Sequence, residues 1–327
     1  MSGLPHIALA PMRDVVAALW KKGSRVEKYE DRPGVLIEAV VQEADRRNQA
    51  DNIPGLDAWL LIYDEFASWC VSLASITAYK MRTYPTKPVP APLKAYCLIS
   101  GALCTHLFAV RKLVLSGFDV PAKQVLRSFV EHLDVLNLLV LRPELAEEFQ
   151  RAETPEASNE FWNRYVRRGK VRKDLYGEIA SALGDDQSAI EEWRSWRREE
   201  DTILSMAAHP TSIGCFMSIC VPGADESEAW LGLFGAKGDV STRTLRYAIY
   251  ALTDLLVMHY FPFGEQGHFD RPAVIEFDPN DEFHRHVKDG RKVLFGLLHY
   301  VSSYANTHPE LSAERSIDHW FADHEGE

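Results

Sequence analysis

Apolar residues recur at three- and four-residue spacing along most of the chain, and proline, glycine and short polar caps fall where helices would begin and end. Helices are therefore predicted to carry the fold. "PMRDVVAALWKK" and "DRPGVLIEAVVQEADRRN" each open with a proline in the first turn. "LDAWLLIYDEFASWCVSLASITAYKM" reads as one long helix, stopped by the proline-rich connector "YPTKPVPAP". "LKAYCLISGALCTHLFAVRKLVLSG" follows and ends on Gly117, after which Asp119 is expected to cap a helix that runs to Pro143. The stretch from Pro143 to Gly184 turns charged and aromatic, which predicts short helices on an exposed flank. "SAIEEWRSWRREEDTILSMAAHP" is again long, and Pro210 should stop it at about Ala208 or His209.

One segment departs from helical periodicity. "GCFMSICVPGADESEAWLGLFGA" has two short apolar runs around a Pro-Gly loop, the pattern of a β-hairpin. Helix returns in "STRTLRYAIYALTDLLVMHYF", capped by Ser241 or Thr242, and in "NDEFHRHVKDGRKVLFGLLHYVSSYA". The expected fold is all-α: a multi-helix bundle with one small β-hairpin around residues 214–236. The expected division is an N-terminal helical extension (1–90), a bundle core (91–305) and a C-terminal tail (306–327).

Composition narrows the function classes. With 327 residues, 46% hydrophobic and 25% charged, the chain can bury a large core. A net charge of −11 argues against a general nucleic-acid or membrane-surface binder, which would need a Lys/Arg excess. Charges interrupt the longest apolar runs, so no membrane span is expected. The start "MSGLPHIALAPMRD" lacks the basic-then-apolar layout of a signal peptide. Cys70, Cys97, Cys104, Cys215 and Cys220 sit in apolar stretches without ligand spacing, and are expected to be reduced core residues of a cytoplasmic protein.

The chemistry concentrates where a strongly apolar helix carries charge. In "VLRSFVEHLDVLNLLVL" (125–141), Arg127 and Glu131 are four apart and share a face, with His132 on its flank. Burying such charges costs free energy unless they are paired, so the pair is expected to tie helices together or to form a site. Ser205 and His209 repeat the four-residue spacing on the last turn of their own helix. "NRYVRRGKVRKDLY" (163–176) is the strongest basic run. Its Arg164, Arg167, Arg168, Lys170, Arg172 and Lys173 could hold an RNA backbone, with Trp162, Tyr165 and Tyr176 for stacking.

The order "LRSFVEHLDVLNLLVLRPELAEEF", a charged stretch, then "EEDTILSMAAHPTS" resembles a bacterial all-helical domain family of unknown function. The features that carry the likeness are Arg127 with Glu131, Pro143 with Leu145 and Ala146, and Ser205 with His209, followed by a hairpin. The spacing in "RSFVEH", Arg127 to His132, is similar to the signature of the HEPN superfamily (higher eukaryotes and prokaryotes nucleotide-binding). That resemblance implies a helical bundle that cleaves RNA without metal across a dimer interface. A base, His132 or His209, would take the 2′-hydroxyl proton, and Arg127 would stabilise the phosphate charge.

His284 and His286 are two apart, so they diverge on a helix, and no HExxH, P-loop, GxGxxG or GxSxG context is present. No cofactor and no metal are expected. Two functions remain. The first is a non-catalytic interaction, sensor or scaffold module, engaging a protein partner or forming a homo-oligomer, in which Arg127, Glu131, Ser205 and His209 make a buried polar network. The alternative is a HEPN-like ribonuclease or toxin-type effector in phage defence, with RNA and not DNA as its partner, using Arg127, Glu131, His132, Ser205 and His209.

Overall fold

The computed structural model describes residues 9–21, 28, 37–50, 53, 55–173, 176–177, 187–209, 212–219, 233, 235–260 and 278–307. The chain opens with α1 (Leu9–Lys21) and α2 (Ile37–Ala50), followed by the long α3 (Leu56–Thr83), α4 (Ala91–Leu115) and α5 (Asp119–Leu141). Two short helices, α6 (Leu145–Arg151) and α7 (Pro155–Phe161), lead into a π-helical turn (Trp162–Val166) and a 3-10 turn (Arg167–Gly169). Four more helices complete the order: α8 (Gln187–Ala208), α9 (Ser212–Ile219), α10 (Asp239–Tyr260) and α11 (Glu282–Thr307).

The all-α expectation holds: no strand occurs among the described residues. Where the first arm of a hairpin was expected, residues 212–219 form α9, which packs on α8 and α5. A short apolar run of this length fits helix or strand equally well, and packing decides between them. Residues 220–232 and 234, the rest of that expectation, lie outside the described residues, as does the tail 308–327.

α5 is the axis of the bundle, packed on α4, α8 and α10. Its Leu126, Phe129, Leu133 and Leu136 are fully buried. The expected boundary near residue 90 does not isolate α3, which lies against α4, α10 and α11 with Tyr63, Phe66 and Trp69 inside the common core. Tyr63 donates to the Leu107 carbonyl at 2.7 Å, and Arg111 grips Asp64 with two bonds of 2.7 and 2.8 Å, so α3 and α4 are tied by polar contacts as well. By length and composition α4 alone among the described helices could cross a membrane, contrary to the expectation that charges interrupt every such run. It packs between α3 and α5, with Leu103, Leu107 and Val110 in the core. Cys70 is buried, whereas Cys215 is exposed on α9, against the expectation of an all-core set, and Cys220 lies outside the described residues.

The α4–α5 corner fixes where α10 begins. Gly117 ends α4 with φ 74°, the left-handed conformation expected of a helix-terminal glycine, and faces Gly235 with φ 81°. A Cβ on Gly117 would lie 2.4 Å from the Ala236 nitrogen, and one on Gly235 would lie 2.3 Å from the Ser116 carbonyl oxygen. Arg47 and Asn48 of α2 donate to the Gly235 carbonyl at 2.7 and 3.1 Å, docking the N-terminal part on the same corner. Asp119 does not cap α5 as expected. Its carboxylate instead accepts from Ser241 (2.7 Å) and Thr244 (3.1 Å), and Thr244 also accepts from the fully buried Lys123 at 2.8 Å. Burial opposes both charges, raising the Asp119 carboxyl and lowering the Lys123 amine from their ordinary values, while their mutual attraction limits both shifts.

Gly235→Ala is expected to lower stability by more than the ~1–2 kcal/mol of a left-handed L-residue, because the nearest atom to the added Cβ is the Ser116 carbonyl oxygen, part of the backbone, with the Phe118 ring close behind. Urea unfolding of the variant against the wild type measures this.

Candidate functional site

α5 and α8 run antiparallel, and their polar residues meet along one continuous seam. Arg127 and Asp134 are seven residues apart, about two turns, so they share a face with Glu131 between them. On α8, Arg197, Asp201, Ser205 and His209 repeat every fourth residue and face them. Arg127 therefore meets Ser205 and His209, while Asp134 meets Arg197.

At the outer end, Arg127 Nε donates to Glu131 Oε1 at 3.4 Å, and its Nη1 faces Ser205 Oγ at 3.3 Å and His209 Nε2 at 3.4 Å. The structure thus brings together Arg127, Glu131, Ser205 and His209 from the two helices. The group is not buried: the Arg127 and Glu131 side chains are each 33% exposed, and His209 is exposed where α8 ends. α8 stops at Ala208, as the following His-Pro pair predicts.

His132 is turned elsewhere. Its Nδ1–H donates to the Ser128 carbonyl at 2.7 Å, and its ring lies 5.0 Å from that of His106 on α4. His106 makes the same bond to Ala102. Five residues along a helix rotate a side chain by roughly 140°, so Arg127 faces α8 while His132 faces α4. Within one chain the two do not share a site.

The basic run is divided: Arg164, Arg167, Lys170 and Lys173 are exposed, while Arg172 is not. Arg172 is drawn inward, its side chain only 14% exposed, with Nε bonded to Asp134 at 2.6 Å and Nη1 to Asp201. Arg164 pairs with Glu148 at 3.1 Å. Arg167 and Lys170 fold back on Asn163, at 3.0 and 2.9 Å. Lys173 is exposed, and the side chain of Arg168 lies outside the described residues. Trp162 and Tyr165 pack against the core and Tyr176 is buried, so the expected stacking platform is spent on packing.

The inner end of the seam is the group that sequence reasoning missed. Arg197, fully enclosed, donates to Glu200 at 3.0 Å and lies 3.5 Å from Asp134 and 3.3 Å from Asp254 of α10. Burial opposes the Arg197 charge, and Asp254, Glu200 and Asp134 outweigh it, raising its pKa. Glu200 goes the other way: burial pushes its carboxyl up to about 8 despite Arg197. The available signal was Asp254, a lone charge inside the apolar "ALTDLLV". Arg197 and Glu200 stand within the mixed-charge run "RSWRREED", where no local pattern separates them from their neighbours.

His284 and His286 also separate: His284 Nδ1 accepts from the Asp278 N–H at 3.0 Å, and His286 Nδ1 contacts Ser72 Oγ at 2.7 Å. Among the described residues no three His, Cys, Asp or Glu side chains are arranged to hold a metal. No protein-family model, curated protein or solved structure matches the chain.

The two ends of the seam should answer differently to truncation. Arg197→Ala leaves buried carboxylates without their cation and is expected to cost about 3–5 kcal/mol, against roughly 1 kcal/mol or less for the half-exposed Arg127→Ala, both by urea unfolding. Glu200 supplies a pH test. The folded chain keeps a proton that the unfolded chain, with an ordinary carboxyl near 4.5, has released, so this contribution to stability declines as pH rises from 4.5 towards 8. Glu200→Gln should flatten that decline, and a pH series of denaturation midpoints reads it directly.

Proposed function

We propose that the chain is a helical interaction and sensor module that engages a protein partner, in the first instance a second copy of itself, through the outer end of the α5–α8 seam. The observation that supports this is the loosely held hub at Arg127. Its three contacts lie at 3.3–3.4 Å at a third of full exposure, so the guanidinium can exchange internal partners for external ones at small cost. Beside it α9 presents Phe216, 47% exposed, and packs on both seam helices. An arginine and an aromatic ring amid polar groups match the composition of interface hot spots.

A second reading draws on one specific contact. Arg127 and His209 meet at an accessible surface, which suits metal-independent RNA cleavage with His209 as base and Arg127 as the cation that stabilises phosphate charge. A toxin-type effector in defence would be its setting. It stands second because the chain is acidic and Arg164 and Arg172 are committed to carboxylates, leaving fewer cations for a phosphate backbone.

Size-exclusion chromatography with light scattering tests the first reading. A concentration-dependent dimer is expected for the wild type, and monomers with unchanged helical circular dichroism for Arg127→Glu and Phe216→Ser. A wild type that stays monomeric throughout rejects self-association. Incubation with RNA tests the second: cleavage lost in Arg127→Ala and His209→Ala but kept in His132→Ala would establish it in place of the first.

A further inference from the structure

Away from the seam, a cleft of about 340 Å³ opens between α3 and α11. The helices run antiparallel there, since Ser72 meets His286 while Trp69, earlier in α3, meets Val287 and Gly290, later in α11. The volume falls at the small-ligand end of the usual pocket range of roughly 300–1,000 Å³. Its chemistry is mixed in a particular way. Glu65 comes from α3, Arg285 and Asp289 come from α11, and Val293 with Leu294 form an apolar wall. Arg285, Glu65 and Asp289 make no ion pair and no side-chain hydrogen bond among the described residues, unlike the arginines of the seam. Among the described residues, both signs of charge are therefore uncommitted at one small cavity.

The fourth polar group is His286, whose Nδ1 meets a buried hydroxyl. Ser72 is buried, and the only acceptor its hydroxyl meets among the described residues is His286 Nδ1, at 2.7 Å. A buried hydroxyl hydrogen takes an available acceptor, so Ser72 donates and Nδ1 accepts. With Nδ1 accepting, the ring proton sits on Nε2, the remaining nitrogen of a ring that lines the cleft. The floor is built to let the helices approach: a Cβ on Gly290 would come within 3.2 Å of Trp69 Cδ1 and 3.5 Å of His286 Cδ2. Trp69 is held in turn by its indole N–H to the Val287 carbonyl at 3.0 Å.

We propose that this cleft binds a small apolar α-amino acid as its zwitterion. The ligand carboxylate accepts from the Arg285 guanidinium and from His286 Nε2–H. The ammonium donates to Glu65 and Asp289, and the side chain lies against Val293 and Leu294. This complement satisfies every uncommitted group, whereas a simple cation would leave Arg285 and the His286 donor unused and a simple anion would sit against two carboxylates. The inference rests on the α3–α11 cleft and is independent of the reading of the seam.

Isothermal titration calorimetry of the full chain with L-leucine tests it, with butyrate and n-butylammonium as half-ligands. One-to-one binding of leucine is expected, with each half-ligand at least about tenfold weaker and with Arg285→Ala and Asp289→Asn each weakening leucine by about tenfold or more. Both substituted side chains are exposed, so the fold should persist, as circular dichroism will verify. Arg127→Ala should bind leucine as the wild type does. Absence of leucine binding, undiminished binding in both cleft variants, or n-butylammonium binding as tightly as leucine would each overturn the proposal.

Discussion

The cost of keeping charge away from water governs this bundle. Asp134, Arg197, Glu200 and Asp254 come from three different helices and are all enclosed, and such a group persists only if each charge finds a partner at a fixed place. Apolar side chains can slide past one another by a turn and still be buried. A guanidinium with three carboxylate neighbours cannot, so the relative height of α5, α8 and α10 follows from where Arg197 sits.

From that anchored end the α5–α8 seam grades outward to Arg127 and His209. The same residue types carry different energetic meaning along it. Inside, loss of one partner strands a charge; outside, water replaces the partner. Placement of Arg127, Ser205 and His209 at the outer end is thus a by-product of register fixed at the inner end. Gln124, donating to the Ala207 carbonyl at 2.9 Å, closes the seam beyond Arg127.

Much of the architecture was legible in the sequence because helix signals are local. The stop before Pro210, the turn at Gly117 and the shared face of Arg127 and Glu131 depend on residues only a few positions apart. The convergence of Ser205 and His209 on Arg127 was legible because both pairs have the spacing that puts them on one helix face. What local pattern could not show is which charges go inside. Arg172 stands in a run of cations and Arg197 in a run of mixed charges, and nothing near either marks it for burial. Their partners Asp134 and Asp254 lie tens of residues away, and an isolated acid in an apolar helix states a need without naming what meets it. The α9 segment failed for a related reason, since eight apolar and small residues take the form their neighbours allow.

α11 packs principally on α3, and it is the last helix described. Its docking satisfies two donors that α3 would otherwise strand, the Trp69 indole N–H and the Ser72 hydroxyl. A helix held by one neighbour is the natural first unit to detach in local opening, yet here detachment exposes polar groups that water can solvate as readily as apolar ones that it cannot. The α3–α11 contact is therefore both a polar and an apolar joint, and Trp69 takes part in each.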